Sequence, residues 1–548
     1  MSTAPVLAES LTVDRATSEM GQENREKIER QLKKLPPKSS EIITEEEPAP
    51  VGEARFFVKK IVLTGCESFP PETFSGITGK YENSEQTLSG LNELCREIER
   101  EYIKRGIIAA VMIPPQESAD QAITLKVVEA KMGDLIIKKI RYFKENLLKR
   151  FWKIPEGKIL DHREISRSVQ MMNRNPDREV KAALRAGRKP GTTDVILDSK
   201  ARFPLHGFFT LDNEGIISTG KYRYGTGLRH NNMLGLDDTL IGGTNFGKDF
   251  TGQYAYHSLP VGDAGTSLLY GYYYGKAVPK KDFVQYGIKS EEKGENFSLH
   301  QDMYYDGEYL GEVYGGFDAI DKLVRTNDGT LIKDRLRILN FGGSALFQMS
   351  DSILYVPFEF SQGLTAFGAS PNDDNPLASR GAHTKFSKLS TGLFTRTQLP
   401  LELQQNVKIR TQIASTKLMP QEQISLGGID SVRGYPASDY LADGALLASL
   451  ELVSPMAVLP KDLKLPFDKT DLRDRIKPVM FVDYGYGKRR GESSRNMIGA
   501  GGGIRINLYD QVSIRLEWGV PLGNKALTES GSCHFHMALS IQDKLPLK

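Results

Sequence analysis

Beyond Phe203 the chain repeats segments of roughly ten residues in which apolar and polar side chains alternate, with clusters of glycine, asparagine, aspartate and proline between them. A period of two is the pattern of β-strands that have one apolar and one polar face. The pattern extends over roughly 340 residues, and no helical period interrupts it. The clearest segment carries Val512, Ile514, Leu516, Trp518 and Val520 on one face and Ser513, Arg515, Glu517 and Gly519 on the other.

Alternation alone fits two architectures: a soluble sandwich with its apolar face inward, and a barrel with lipid outside and water inside. A run this long exceeds most single sandwiches, and tyrosine and phenylalanine are frequent near the segment ends, as they are at a membrane interface. A closed barrel also satisfies every backbone hydrogen-bonding group, which a membrane requires. The pattern therefore favours a mainly β protein whose residues 203–548 form a transmembrane antiparallel β-barrel.

Residues 56–202 combine strand and helix patterns in two units of similar length. The first unit, 56–130, has strand-like runs at 56–63, 107–113 and 123–128 and a helix at 84–105, whose apolar side chains recur every three or four positions. The second unit, 131–202, has strand-like runs at 135–140, 180–184 and 193–197 and helical segments at 147–151 and 163–172. Because the elements follow in the same order, we expect a tandem repeat of one small α+β domain.

Residues 1–55 carry little apolar surface. Residues 15–35 are rich in charged and amide side chains, and Ile28, Leu32 and Leu35 form one thin apolar stripe at helical spacing. Two prolines end this predicted helix, and residues 36–55 have the composition of a linker. The first eight residues lack the basic and apolar regions of a signal peptide, so we expect no signal peptide in this chain. The predicted helix at 15–35, with its thin apolar stripe, either docks loosely on the rest of the protein or lies in an aqueous environment.

Composition and charge argue against several functions. The 72 basic and 69 acidic residues give a net charge of +3, without the clustered basic face that nucleic acid requires. No apolar run approaches the roughly 18 residues of a membrane-spanning helix. The sequence holds no GxSxG or HExxH motif, and the glycine-rich run 499–503 lacks the lysine and helix context of a phosphate-binding loop. We therefore expect no enzyme, no cofactor and no nucleic-acid partner.

The histidines and cysteines indicate no metal site. His534 and His536 share one strand face, but no third ligand lies near them in sequence. The three cysteines form no CxxC pair. Cys95 lies on the apolar face of the predicted helix and is expected to be a buried thiol. A disulfide between Cys66 and Cys95 in an oxidising compartment stays open as an alternative.

One loop carries side chains for which a solvent-exposed turn has little use. Among the turn-forming residues 427–436, Arg433 is flanked by an aliphatic and an aromatic side chain. Alternation in the strand at 479–485 places Asp483 on the face opposite Met480 and Val482, so its carboxylate points into the lumen if those two face lipid. A carboxylate in a walled lumen is stable when it pairs with a guanidinium. The alternative is a surface turn followed by an ordinary strand.

Strand counting places this loop on the outer side of the membrane. Strands predicted at 533–542, 511–520, 499–508, 477–487 and 445–453 make 415–444 an extracellular loop, which would fold inward to reach Asp483. They also place the long connection 454–475 on the periplasmic side, where short turns are expected. The candidate loop-to-barrel lock comprises Val432, Arg433, Gly434, Tyr435, Phe481, Asp483 and Gly485.

Several motifs resemble a known family. The pair Val432-Arg433-Gly434-Tyr435 and Phe481-x-Asp483-x-Gly485 resembles the signature of the polypeptide-transporting outer-membrane barrel superfamily. Three further motifs resemble those of two-partner secretion transporters of the haemolysin and filamentous-haemagglutinin type. They are Asn173-Arg174-Asn175-Pro176-x-Arg178-x-Val180, Pro190-Gly191-Thr192-Thr193-Asp194-Val195 and Asp212-Asn213-x-Gly215. The resemblance runs from about Phe56 to Gln542, and the order and spacing of the motifs make it specific.

The resemblance implies a barrel of about sixteen strands that follows two periplasmic polypeptide-transport-associated (POTRA) domains at 56–130 and 131–202. It further implies a plug helix in residues 1–35, a linker at 36–55 and a pair between Arg433 and Asp483. The chain departs from the family pattern in its C-terminal residues 544–548, which follow the last strand, and in the long connection 454–475.

The implied function is an outer-membrane translocator that secretes an unfolded partner exoprotein. Its expected partners are this secreted cargo, outer-membrane lipid and, during biogenesis, the barrel-assembly machinery. The alternatives are a factor that assembles other outer-membrane barrels, and a passive pore or adhesin. An assembly factor would be expected to carry more tandem periplasmic units than the two that fit between Phe56 and Phe203.

Overall fold

A computed structural model describes residues 55–543 except 117–119, 190, 217, 280, 306–308, 373–376, 378, 467, 469 and 528–532. Among the described residues, 55–203 form one compact unit and 204–543 form another. The predicted plug helix at 1–35, all but the last residue of the linker at 36–55, and the C-terminal residues 544–548 lie outside the described residues.

The N-terminal unit begins with a small three-stranded sheet covered by a helix. Its elements are β1 (Arg55–Val58), β2 (Lys60–Thr64), α1 (Ser75–Thr78), β3 (Ser84–Thr87), α2 (Leu88–Lys104), β4 (Ala109–Met112) and β5 (Ala122–Glu129). Strand β5 lies in the centre, parallel to β2 and antiparallel to β4. The apolar face of α2, including Leu91, Leu94 and Ile98, is buried against this sheet.

The prediction of a helix from residue 84 is wrong for its first four residues. They form β3, which pairs with β1 in an antiparallel ladder. The helix begins only after Thr87, whose side-chain oxygen accepts a hydrogen bond from the Gly90 N–H at 3.1 Å. A threonine is a favoured N-terminal cap, because it satisfies one of the backbone donors that have no partner within the helix.

The second half of this unit repeats the topology of the first. Its elements are β6 (Lys131–Ile137), α3 (Glu145–Phe151), α4 (His162–Met172), β7 (Arg178–Ala186) and β8 (Thr192–Ala201). Strand β8 lies in the centre, parallel to β6 and antiparallel to β7. Its core contains Leu148, Ile165 and Val195, which are fully buried.

The cysteines are free thiols in the structure. Cys95 is buried on α2, as expected, and Cys66 is half-buried without a disulfide between them. Burial raises the pKa of the Cys95 thiol to about 11. A thiol of this kind is unreactive at neutral pH, because the thiolate is the nucleophile.

The second unit is a closed antiparallel barrel of sixteen strands. The strands up to the long inward loop are β9 (Leu205–Asp212), β10 (Arg223–His230), β11 (Thr239–Phe246), β12 (Phe250–Val261), β13 (Thr266–Ala277), β14 (Lys289–Tyr305), β15 (Tyr309–Thr326), β16 (Gly329–Gln348), β17 (Ser352–Gly363), β18 (Ser387–Gln398) and β19 (Gln404–Ala414). A hairpin of β20 (Ile424–Leu426) and β21 (Tyr440–Ala442) lies within that loop. The remaining barrel strands are β22 (Gly444–Val453), β23 (Ile476–Lys488), β24 (Arg495–Leu508), β25 (Val512–Pro521) and β26 (His534–Gln542).

The two faces of each barrel strand differ as the alternation predicts. On β23, Met480 is 70 % exposed and Val482 and Tyr484 are also exposed, whereas Phe481 and Asp483 are buried on the inner face. Residues opposite each other in adjacent strands share a face, so this assignment extends around the barrel. In the part of the chain that the structure describes, no helix is long and apolar enough to cross a membrane.

Long connections leave the barrel at both ends, and two of them are those predicted from the sequence. The loop 415–443 joins β19 to β22 and carries the β20–β21 hairpin. The connection 454–475 joins β22 to β23 at the end where β9 begins, and contains the short helix α5 (Leu472–Arg475). Its buried Arg475 forms ion pairs with Asp468 at 2.7 Å and with Asp510, which anchors this connection to the turn before β25.

Candidate functional site

The loop 415–443 folds back into the barrel. Val432 and Tyr435 are fully buried, and they pack with Leu426, Leu447 and Met497 in one apolar cluster. Leu447 and Met497 belong to the wall strands β22 and β24, so the tip of the loop rests on the barrel interior. The enclosed position explains the apolar side chains that a solvent-exposed turn would not need.

Arg433 is fixed by Asp483 on β23. Its Nε donates to Asp483 Oδ2 at 2.7 Å and its Nη2 donates to Oδ1 at 2.8 Å, which is a bidentate pair. The backbone N–H of Arg433 donates to the same Oδ2 at 3.0 Å. The guanidinium carbon also lies 3.5 Å from the centre of the Phe481 ring, in cation–π geometry. One carboxylate thus holds both the side chain and the backbone of the loop.

Two further carboxylates complete the arginine site. Arg433 Nη1 donates to Glu451 Oε1 at 2.7 Å and to Glu517 Oε2 at 2.9 Å. Arg505 joins the same two glutamates, at 2.8 Å from each, and Arg515 pairs with Glu517 at 3.2 Å. All these groups are largely shielded from solvent, so their charges depend on mutual pairing.

Glycines on the wall allow the loop backbone to approach. A Cβ added at Gly499 would lie 1.8 Å from the Arg433 carbonyl oxygen, and one added at Gly519 would lie 2.4 Å from the Gly434 nitrogen. Gly434 itself has φ +94°, which other residues rarely adopt. Gly499, the first residue of the glycine-rich run at 499–503, therefore has a local structural role beneath the loop.

The loop tip also contacts the seam where the first and last barrel strands meet. Glu214, which follows β9, accepts the Ile429 N–H at 2.8 Å through one oxygen and contacts His536 Nδ1 at 2.7 Å through the other. His536 Nε2 accepts the Gly434 N–H at 3.2 Å. Nε2 is therefore unprotonated, and Nδ1 carries the proton that it donates to Glu214. Glu214 and His536 join the loop to both sides of the seam.

The same region closes the seam itself. The ladder between β26 and β9 runs only from Ala538 opposite Asp212 to Gln542 opposite Phe208. Beyond it, the side-chain amide of Asn213 donates to the Phe535 carbonyl at 2.7 Å and accepts the Met537 N–H at 2.8 Å. The Asp212-Asn213-x-Gly215 motif thus extends the pairing of the shortened ladder.

The structure brings the seven sequence-predicted residues to one site. Four of them lie on the loop tip, and Phe481, Asp483 and Gly485 lie on the inner face of β23. Gly485 lies under the loop, since a Cβ there would be 2.7 Å from a methyl group of Val432. No predicted member is placed elsewhere in the barrel.

Sequence reasoning missed several other members of the site, including its further acids and His536. Glu451 and Glu517 have the inward position in their strands, so alternation alone could have marked them as lumen-facing acids. Alternation also places His536 on the polar face of its strand, but the sequence gives no signal of its contact with Glu214, because that contact depends on barrel closure. The histidine pair at 534 and 536 was considered only as a metal ligand set. Within the described ranges, no group of three or more histidine, cysteine or acidic side chains is arranged to hold a metal ion.

Comparisons with known proteins identify the family of this chain. Residues 191–506 match the family described as haemolysin secretion/activation protein ShlB/FhaC/HecB, and residues 56–130 match the ShlB-type POTRA domain. The outer membrane transporter CdiB of Dickeya dadantii is 24 % identical over 66 % of this chain, and the alignment spans 65 % of that relative. The heme/hemopexin transporter protein HuxB of Haemophilus influenzae Rd is 21 % identical over 92 % of this chain and 91 % of its own length.

A solved structure shows the same fold. CdiB from Escherichia coli superposes with a TM-score of 0.70 and 21 % identity, over 97 % of this chain and 99 % of that one. The family match covers more than half of the 548 residues and includes the loop, the wall carboxylates of β22 and β23, and most of the barrel. The chain therefore belongs to the ShlB/FhaC/HecB family of haemolysin secretion/activation proteins, which are outer-membrane β-barrels with periplasmic POTRA domains.

Proposed function

We propose that this protein is an outer-membrane translocator that passes an unfolded partner exoprotein from the periplasm to the cell surface. The observation that carries the proposal is the loop 415–443, whose buried Arg433 is held by three carboxylates inside a sixteen-stranded barrel. A barrel of sixteen strands is wide enough to leave an aqueous channel. The tip of the loop contacts β22 to β26, and its first part contacts Asp334 on β16, Lys388 on β18 and apolar side chains of β15 and β16. We propose that an extended chain passes along the opposite wall, formed by β10 to β14.

The proposed domain limits are 56–130 and 131–202 for two POTRA domains and 203–548 for the barrel. Each of the small domains has a sheet with open edges, and an extended cargo segment can add to such an edge as a further strand. On β7, both backbone groups of Val180 face outward, because the Asn173 side chain bonds its N–H at 2.7 Å and its carbonyl at 2.9 Å. Alternation then directs the backbone of Ala182 and Leu184 outward as well.

Because Asn173 already bonds the backbone groups of Val180, we propose the part of this edge beyond it, at Ala182 and Leu184, as the cargo-binding edge. On the edge strand β4 of the first domain, the Glu99 side chain accepts the outward Val111 N–H at 2.8 Å, which blocks strand addition there. The family is one of transporters, and we propose no catalytic activity for this chain. The direction of transport therefore needs another source, which we propose is the folding of the cargo outside the cell. The barrel-assembly machinery is the proposed partner during insertion, and nucleic acid is not a partner.

The test is co-expression with a candidate exoprotein taken from the neighbouring open reading frame. We expect the exoprotein in the culture medium only when the transporter is present. Arg433→Ala should abolish this export while the barrel still inserts, which the heat-dependent mobility of the folded barrel on a gel reports. Arg396→Ala is the matched control, because Arg396 is an exposed arginine on the inner face of β18, away from the loop.

Two results would count against the proposal. Full export by the Arg433→Ala variant would show that the loop site is not needed for transport. Export that does not depend on the transporter, together with a fall in other outer-membrane barrels when it is removed, would favour the assembly-factor alternative.

A further inference from the structure

The turn between β10 and β11 exposes three large apolar side chains. Met233 is 55 % exposed, Leu234 57 % and Leu236 42 %. The turn, residues 231–238, lies at the end of the barrel where the chain enters from the periplasmic domains, and the Asn231 N–H donates to the Pro204 carbonyl at 2.8 Å. A periplasmic turn in water would not favour three neighbouring apolar side chains.

The turn is held in one conformation by polar groups beneath it. The fully buried Asp238 carboxylate accepts the Leu234 N–H at 2.9 Å through Oδ1, and contacts His257 Nε2 at 2.9 Å through Oδ2. The Asn232 side chain accepts the Asp237 N–H at 3.0 Å. Fixed backbone bonds of this kind present the apolar side chains as a preformed surface.

The ladder shows which face of the barrel this turn covers. Ile241 on β11 lies opposite Tyr256 on β12, and both are buried on the inner face. Leu240 lies opposite His257, so the side chains of both point to the outer face. Asp238 comes two residues before Leu240 and therefore points to the same face. The bond between Asp238 and His257 therefore lies on the outer surface, and the turn folds over the lipid side of the periplasmic rim.

We propose that the turn 231–238 is a membrane anchor that inserts Met233, Leu234 and Leu236 among the acyl chains of the periplasmic leaflet. The surface is continuous with the lipid-facing wall, because Leu228 on the outer face of β10 is 58 % exposed just before the turn. The Asp238 carboxylate is paired with His257 and the Leu234 N–H, and the Asn232 side chain with the Asp237 N–H. These pairings suit headgroup depth, where an isolated carboxylate would be costly.

The anchor also fixes the start of the barrel. Because Asn231 bonds Pro204, the first residue of the barrel unit, the lipid-inserted turn holds the point at which the chain passes from the periplasmic domains into β9. The occupant of the surface is phospholipid, and neither cargo nor a second copy of the chain is required to cover it.

The test uses single-tryptophan proteins in vesicles of phosphatidylcholine brominated on the acyl chains. Leu234→Trp is made in a background in which the two natural tryptophans, Trp152 and Trp518, are changed to phenylalanine. We expect bromine to quench the tryptophan introduced at position 234 about as strongly as Trp518 kept alone, because Trp518 stands on the lipid face of β25.

Asp328→Trp in the same background is the water-exposed control. Asp328 lies at the tip of the β15–β16 hairpin, whose strands of 18 and 20 residues extend beyond the membrane. If emission from the Leu234→Trp protein is as insensitive to bromine as emission from this control, the proposal is overturned and the surface is left to a protein partner.

A second variant tests how the turn is held. With Asp238→Ala added, we expect the tryptophan at position 234 to lose much of its quenching, because its backbone is released. If the quenching is unchanged, the carboxylate does not hold the turn in lipid. The vesicles contain no cargo, so either failure leaves the export function proposed above untouched.

Discussion

At the scale of single residues, Arg433 uses its whole hydrogen-bonding capacity. Its five side-chain N–H groups are taken by Asp483, Glu451, Glu517 and the Ser449 hydroxyl, the last at 3.1 Å. The planar fork of a guanidinium matches this set of acceptors, whereas an ammonium group has three donors on one atom. The site therefore selects arginine by geometry as well as by charge.

Arg433→Lys should release the loop although the charge is kept. Leaving buried carboxylates with incomplete pairing costs roughly 3–5 kcal/mol, enough to shift a docked loop to an undocked one. The measurement is trypsin added to intact cells, since lysine remains a cleavage site. We expect a new fragment that ends at residue 433 in the variant, and none in the parent, where Arg433 is buried. Equal protection of both proteins would refute this prediction.

Asp483 and Glu517 should differ in what they stabilise. Asp483 bonds the loop through Arg433, whereas Glu517 also pairs with the wall residues Arg505 and Arg515. We expect Asp483→Asn to expose the loop to trypsin while the temperature of barrel unfolding stays unchanged. Glu517→Gln should lower that temperature, because two wall arginines lose a partner. Heat-dependent gel mobility measures the unfolding temperature of each variant. If Asp483→Asn and Glu517→Gln lower that temperature equally, the predicted difference between the two carboxylates is wrong.

At the scale of elements, the Asn213 side chain extends the ladder at the seam between β9 and β26. Asn213→Ala removes two hydrogen bonds that continue the ladder, at a cost of about 1–3 kcal/mol for buried groups left without partners. The barrel should then unfold at a lower temperature. Thr391→Val is the control, since Thr391 has a single side-chain bond to a strand carbonyl, 2.9 Å from Pro357 O, within the β17–β18 region. A larger loss in the control would argue against a special role of the seam.

Alternation predicts much at this scale, because a strand's side chains have a fixed period. It placed Asp483 inward and Met480 outward from the sequence alone. The same alternation places the acids around Arg433 inward, but their pairing with Arg433 depends on the inward fold of the loop 415–443, which no strand pattern reveals. The strand at 84–87 was missed for a similar reason: its partner β1 lies about 30 residues earlier, and the helical pattern that follows outweighed it.

At the scale of the whole molecule, the question is whether the loop leaves the wall while cargo passes. The loop is held by the arginine site, by the apolar cluster around Val432 and Tyr435, and by Glu214 and His536 at the seam. These contacts are separate in sequence and would all have to break together. A fixed loop that narrows the barrel on one side explains this arrangement without a large rearrangement.

A covalent tether tests the fixed loop. A Cβ at position 485 would lie 2.7 Å from a Val432 methyl carbon, so Val432→Cys with Gly485→Cys brings the two side chains close enough to be joined. In a background of Cys66→Ser and Cys533→Ser, we expect the tethered protein to export its partner at nearly the rate of the reduced form, because cargo passes along the opposite wall. If the oxidised protein stops exporting and a reductant restores it, the loop has to swing out in each transport cycle. The single variant Val432→Cys, which cannot form the tether, shows whether the substitution itself slows export.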